Sequence, residues 1–167
     1  MIETVGIDIG TCGGLALLRG VSLASLSLAD IADMPVLHDG PKGRANVNPP
    51  LLAEIVAKWQ VREAFVEYVG ARPGEGAVGA FAFGRARGVV EGVCGALGVR
   101  VTLITPAQWK RLIGIAPGKD GAKDAARAEA IRRWPDKAAL FARVKDDGRA
   151  EAALIGLAGL MRDSRRG

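Results

Sequence analysis

The sequence predicts an α/β domain built on a mixed sheet of five strands flanked by helices. Three observations predict it. Apolar and polar residues alternate in the order strand, strand, strand, helix, strand, helix, strand and then three helices. The first two strands read as a hairpin, and the later ones are separated by helices, which together call for a mixed sheet. The chain has 167 residues, of which 49% are hydrophobic, enough for one domain with a substantial core. It carries no internal repeat and no linker, so residues 1–161 are read as one domain and 162–167 as a polar tail.

Each element has a local reason. Val5-Gly6-Ile7-Asp8-Ile9 and Leu15-Ala16-Leu17-Leu18 are apolar runs around Gly10, Gly13 and Gly14, a hairpin pattern. The alternation from Val21 to Leu28 predicts a third strand, antiparallel to the second. Residues 39–50 are rich in turn formers and predict a loop that includes His38's neighbours Asp39, Gly40 and Pro41. Asn48 is placed to cap a helix that tolerates Pro49 and Pro50 in its first turn and turns Leu51, Leu52, Ile55, Val56 and Trp59 to one side. Residues 63–69 form a short strand, followed by a basic loop at 70–76.

Residues 78–97 are compatible with a long helix in which Gly79, Gly84, Gly88, Gly92 and Gly95 offer a face for close packing. Residues 99–104 are a strand, and Thr105-Pro106 opens a helix bearing Trp109-Lys110-Arg111. A loop at 117–121 precedes a helix over 122–134 that stops at Pro135. Lys145-Asp146-Asp147-Gly148 opens the last helix, 149–161.

Composition narrows the function. No apolar run reaches the ~18 residues of a membrane span, so no membrane partner is expected. Glu3 and the immediate entry into a strand argue against a signal peptide. Cys12 and Cys94 are too few for a disulfide framework and suit a reducing, cytoplasmic setting; Cys12 reads as a small turn residue. The single histidine, His38, excludes a histidine-based metal cluster. A net charge of +5 favours a polyanionic partner.

The acids carry the chemistry. A carboxylate in an apolar strand is costly to desolvate, so Asp8 calls for a cation, a hydrogen-bond network or a place at the strand's exposed end. Turn capping and metal ligation both meet that need. Glu67 is a second acid ending a strand that could lie beside the first. Asp147 and Glu151, four residues apart, share a helix face, and Asp146 is placed to cap that helix. A helix N-terminus favours carboxylates by itself, but the whole group suits a hard divalent cation with oxygen ligands, such as Mg²⁺. Two such ions would activate a water and stabilise the leaving oxygen in phosphodiester hydrolysis.

Gly6-Ile7-Asp8-Ile9-Gly10, Phe65-Val66-Glu67, Pro106-Ala107-Gln108-Trp109-Lys110 and Lys145-Asp146-Asp147-Gly148-Arg149-Ala150-Glu151-Ala152-Ala153-Leu154 together resemble the RuvC-type Holliday junction resolvases, above all their bacteriophage and organellar branch. The resemblance runs in order through about nine-tenths of the chain. It implies a ribonuclease H-like fold, a homodimer and a structure-selective DNA endonuclease dependent on Mg²⁺ or Mn²⁺. It implies branched DNA, a four-way junction, as the partner, and action in the cytoplasm, that of a host if the protein is phage-encoded. Its active-site acids fall on Asp8, Glu67, Asp147 and Glu151. The final motif departs from the bacterial form, in which the last acids are closer together and the final one is usually aspartate. The choice between Asp146 and Asp147 therefore stays open, with Asp147 preferred for its helical phase with Glu151.

Lys110 reads either as a phosphate contact or as a surface lysine. Arg72, Arg85, Arg87, Lys119 and Lys123 could line a DNA groove or be ordinary solvated charges. Trp109 reads as core, and Phe81 and Phe83 as buried in the core or a dimer interface, with a wedge into the junction as the alternative. Competing functions are a broader flap or fork nuclease, a non-catalytic DNA-binding dimer, and a nucleotide-binding module of the actin and sugar-kinase type, whose first phosphate loop the Gly6–Thr11 stretch also resembles.

Overall fold

The hairpin glycines, the proline-marked helix starts and the alternating strands assemble into two helical layers around one sheet. The computed structural model describes residues 1–68, 70, 74–116 and 122–165. Strands β1 (Ile2–Asp8), β2 (Gly14–Gly20), β3 (Ser27–Asp33), β6 (Glu63–Glu67) and β7 (Arg100–Ile104) form a sheet in the order β3-β2-β1-β6-β7. β1, β2 and β3 are antiparallel neighbours, whereas β6 runs parallel to both β1 and β7. The helices are α1 (Pro49–Trp59), α2 (Ala77–Ala96), α3 (Pro106–Ile113), α4 (Ala122–Arg133) and α5 (Asp147–Ser164). This is the mixed five-stranded α/β architecture expected from the pattern. Among the described residues no helix is long and apolar enough to cross a membrane.

The two-residue alternation of the strands divides the core. Val5, Ile7, Ala64 and Val66 face α1 and α2, packing with Leu52, Val56, Trp59 and Val90. Leu18, Phe65 and Ile104 face the other way, against Trp109 of α3, Trp134, Phe141 and Leu154 of α5. Gly6 lies on that second face, where α5 crosses β1. A Cβ on Gly6 would come within 2.0 Å of the Ala152 carbonyl oxygen, and Gly156 stands opposite. Paired glycines therefore let the helix backbone rest directly on the strand.

Several boundaries follow their local signals. Asn48 caps α1 by accepting from the Leu51 N–H at 3.2 Å, with prolines at the first helical positions. Thr105 and Gln108 form a capping box at α3. His38 is exposed.

Others move. Residues 21–26 of the expected third strand are not in it. Ser22 and Ser25 bond through their hydroxyls, and the Ser25 hydroxyl also bonds the Ser22 backbone N–H and carbonyl, in a 3₁₀ turn, Leu23–Ser25, and the strand starts at Ser27. Local serine bonding outcompetes an alternation that favoured neither face. The loop after it contains a two-stranded sheet, β4 (Val36–Leu37) with β5 (Asn46–Val47). The strand expected over 63–69 ends at Glu67, and Trp134 lies just past α4, before a 3₁₀ segment at Pro135–Phe141. The last helix starts two residues earlier than expected and continues to Ser164.

Candidate active site

Parallel pairing and parity bring the two strand acids together. Gly6 pairs with Phe65 and Ile7 with Val66, so Asp8 and Glu67 follow side by side on the sheet face that α5 covers. The hairpin turn then fixes the start of α5. Gly13 bridges to Gly148, and a Cβ on Gly148 would lie 2.3 Å from the Cys12 carbonyl oxygen, so only glycine permits this contact. Arg149 adds a bidentate pair to Asp33 at the end of β3, at 2.5 and 2.8 Å. Asp147, 9% exposed, and Glu151 are thereby close enough to the end of β1 for their charges to act on Asp8.

The electrostatics record the convergence. Asp8 keeps some solvent contact at the strand end. Even so, burial first, then the charges of Glu67 and Glu151, and least that of Asp147, push its carboxyl up to about 8, while a hydrogen bond from the Gly10 N–H acts the other way. Of the two readings of Asp8, turn capping is poorly served: the Gly10 N–H lies 3.5 Å from its Oδ1. Like-charged oxygens held together suit a cation, and Asp8, Glu67, Asp147 and Glu151 supply the donors that a hard divalent ion takes. Among the described residues no three acids, histidines or cysteines form a ready-made cage.

Asp146 is engaged elsewhere. Its carboxylate accepts the Arg143 backbone N–H at 2.9 Å and the Arg143 guanidinium at 2.7 Å, with Arg149 at 3.8 Å. It occupies the N-cap position of α5 but makes no side-chain cap bond there. The expectation that it caps the helix is corrected: it closes the preceding 3₁₀ turn, Val144–Asp146, because an arginine three residues back outbids the helix amides. Arg143 holds its carboxyl below the usual carboxylate range.

Trp109 is wholly buried, as expected, but it is not only core. Its indole N–H donates to Glu67 Oε1 at 2.9 Å, and Lys110 Nζ lies 5.2 Å from the centre of its ring. No sequence signal pointed to that bond, because it joins the end of one strand to the helix beyond the next.

The two basic candidates on α2 are each paired with an acid. Arg85 pairs with Asp39 at 3.4 Å. Arg87 pairs with Glu91 at 2.6 Å and stacks 4.8 Å over the Tyr68 ring. Arg72 and Lys119 lie outside the described residues, and Lys123 lies on α4 with its side chain outside them. Phe81 and Phe83, both on α2, are 75% and 40% exposed, which rules out the core placement. Beside them a cavity of about 300 Å³ between α2 and β5 reaches Gly10 and Thr11. Cys12 is exposed in the turn.

A five-stranded mixed sheet with acids gathered at the ends of two parallel strands and at the start of the covering helix is a ribonuclease H-like fold. Within that class the fold is of RuvC type. The chain is similar to Thermus thermophilus RuvC in complex with a Holliday junction substrate, with a TM-score of 0.76 and 18% identity over 99% of this chain and 97% of that one. It is also similar to a second Thermus thermophilus RuvC structure, with a TM-score of 0.64 and 17% identity over 98% and 97%. No protein-family model matches the sequence, and no curated protein matches it.

Proposed function

We propose that the protein is a metal-dependent, structure-selective DNA endonuclease that resolves four-way junctions by paired phosphodiester hydrolysis. The observation that carries the reading is the convergence of Asp147 and Glu151 from α5 on Asp8, with Glu67 beside it, in a RuvC-type fold. Its fold neighbour's complex with a Holliday junction supports branched DNA as the substrate. Asp8, Glu67, Asp147 and Glu151 would hold Mg²⁺ or Mn²⁺, two ions per site, which supply water activation and leaving-group stabilisation.

The chain's own residues do the rest. The β1–β2 turn and Gly148 fix where Asp147 stands, and the Trp109 indole steadies Glu67. Lys110, half-buried beside that ring, offers an ammonium to a phosphate next to the acids. A homodimer would set two such sites on a symmetric junction for matched nicks, and the open glycines of α2 offer a close-packing face for it. Action on DNA of this kind belongs in the cytoplasm, that of the host if the protein is phage-encoded.

The test is cleavage of a mobile four-way junction beside duplex, flap and fork substrates, with and without Mg²⁺. Mg²⁺-dependent paired nicks in the junction are expected. Equal or faster cutting of flap and fork would replace junction resolution with a broader branched-DNA nuclease, and no cutting of any substrate would remove the nuclease reading.

A further inference from the structure

We propose that Trp109 is a positioning residue, whose indole N–H sets the orientation of the Glu67 carboxylate toward the bound cation. The inference rests on the metal-dependent reading of the acids given above.

A buried indole N–H must find an acceptor, and any nearby carbonyl would serve. Here the acceptor is the one carboxylate that ends β6 at the candidate site, at 2.9 Å. The chain invests in that alignment at several points. The β6–β7 register pairs Glu67 with Ile104, and the Tyr68 N–H extends the ladder to the Ile104 carbonyl at 2.8 Å. Thr105 follows at once, and its capping box with Gln108 fixes the phase of the first turn of α3, with bonds of 3.3 and 3.1 Å. Four residues after Thr105, the helix delivers the indole edge to Glu67. A glutamate side chain has three rotatable bonds, and binding one of its oxygens to a ring locked in the core leaves the other aimed in a set direction. Partners of this kind, outside the ligand shell, orient metal ligands and tune affinity.

The structure supplies its own control. Trp59 donates to Asp30 Oδ2 at the same 2.9 Å, on the opposite face of the sheet. Both bonds join a buried indole to a carboxylate, but only one of the carboxylates stands beside Asp8.

The experiment measures Mn²⁺ binding to the full chain without DNA, by calorimetry or by the loss of the free-ion electron paramagnetic resonance signal. Trp109→Phe removes the donor and keeps an aromatic face under Lys110. It is expected to weaken Mn²⁺ binding by about tenfold or more, while Trp59→Phe stays within about twofold of wild type. Wild-type binding with an unchanged Trp109→Phe overturns the positioning role alone. Failure of the wild type to bind Mn²⁺ overturns this role together with the metal-dependent reading.

Should Trp109→Phe not fold, ¹⁵N-indole spectra of the wild type decide the matter. The sequence holds three tryptophans, so the Trp109 signal is the one retained in both Trp59→Phe and Trp134→Phe. Mg²⁺ is expected to shift it and to leave the Trp59 signal in place; an unmoved Trp109 signal overturns the role.

Discussion

Arg143 grips Asp146 through its guanidinium at 2.7 Å and its backbone N–H at 2.9 Å, while the adjoining Asp147 adds its charge to those acting on Asp8. Two neighbouring aspartates thus have opposite surroundings, one paired with cations and one gathered with acids. Asp147→Asn should reduce single-turnover junction cleavage by at least ~100-fold, the equivalent of losing a ligand. Asp146→Asn should keep most of the rate and instead lower stability by about 1 kcal/mol, since Arg143 is half exposed. A dead Asp146→Asn beside an active Asp147→Asn would reverse the assignment.

The stability loss in Asp146→Asn has a pH signature. Arg143 lowers the folded carboxyl below its unfolded value, so the contribution is present above about pH 4 and is lost as the pH falls through the folded value. Melting curves of wild type and variant should differ fully at pH 7 and converge in acid.

Asp8 has the opposite sign. Burial and the neighbouring acids push its folded carboxyl up to about 8, so between pH 4 and 8 the native chain binds more protons than the unfolded one. Stability of the metal-free protein therefore falls as the pH rises through that window. In EDTA at pH 8, Asp8→Asn should raise the melting temperature by at least about 2–4 °C, corresponding to ~1 kcal/mol at this size. The gain should vanish at pH 4, and junction cutting should be lost. A variant less stable than wild type at both pH values would refute crowding of charge at this position.

Gly6→Ala tests the seat of α5. The new methyl would stand 2.0 Å from the Ala152 carbonyl oxygen and 2.6 Å from the Gly156 nitrogen, both backbone atoms. The helix must lift from β1, at a cost of about 3 kcal/mol, and Asp147 moves with it. Denaturant melts and cleavage rates should fall together; a neutral variant would mean that helix and strand are not in backbone contact.

Gly88→Ala asks what covers α2. Nothing stands within 4 Å of a Cβ at this position. In an isolated subunit alanine should stabilise the helix by about 0.5–1 kcal/mol. If the proposed dimer packs this face, the same change should weaken self-association, measured by sedimentation, while the folded subunit becomes more stable. A gain in stability with unchanged dimerisation would move the interface elsewhere.

Local chemistry carried much of this protein into view from its sequence. The hairpin glycines, the Asn48 cap, the Thr105-Pro106 start and the acids Asp8 and Glu67 on their strands act over a few residues, and the structure keeps each of them, with Asp8 moved to the end of its strand. The helical phase of Asp147 with Glu151 was legible for the same reason. Tertiary structure alone decided what those residues meet. Which strand lies beside β1, which side chain reaches the Trp109 indole and which arginine claims Asp146 depend on register and on partners outside the motif itself. The third strand shifted because serine hydroxyls bonded locally where the alternation was ambiguous. A motif lists the acids, but only packing determines which of them are left facing one another, because burial and like charge become energies only once the chain has closed around them.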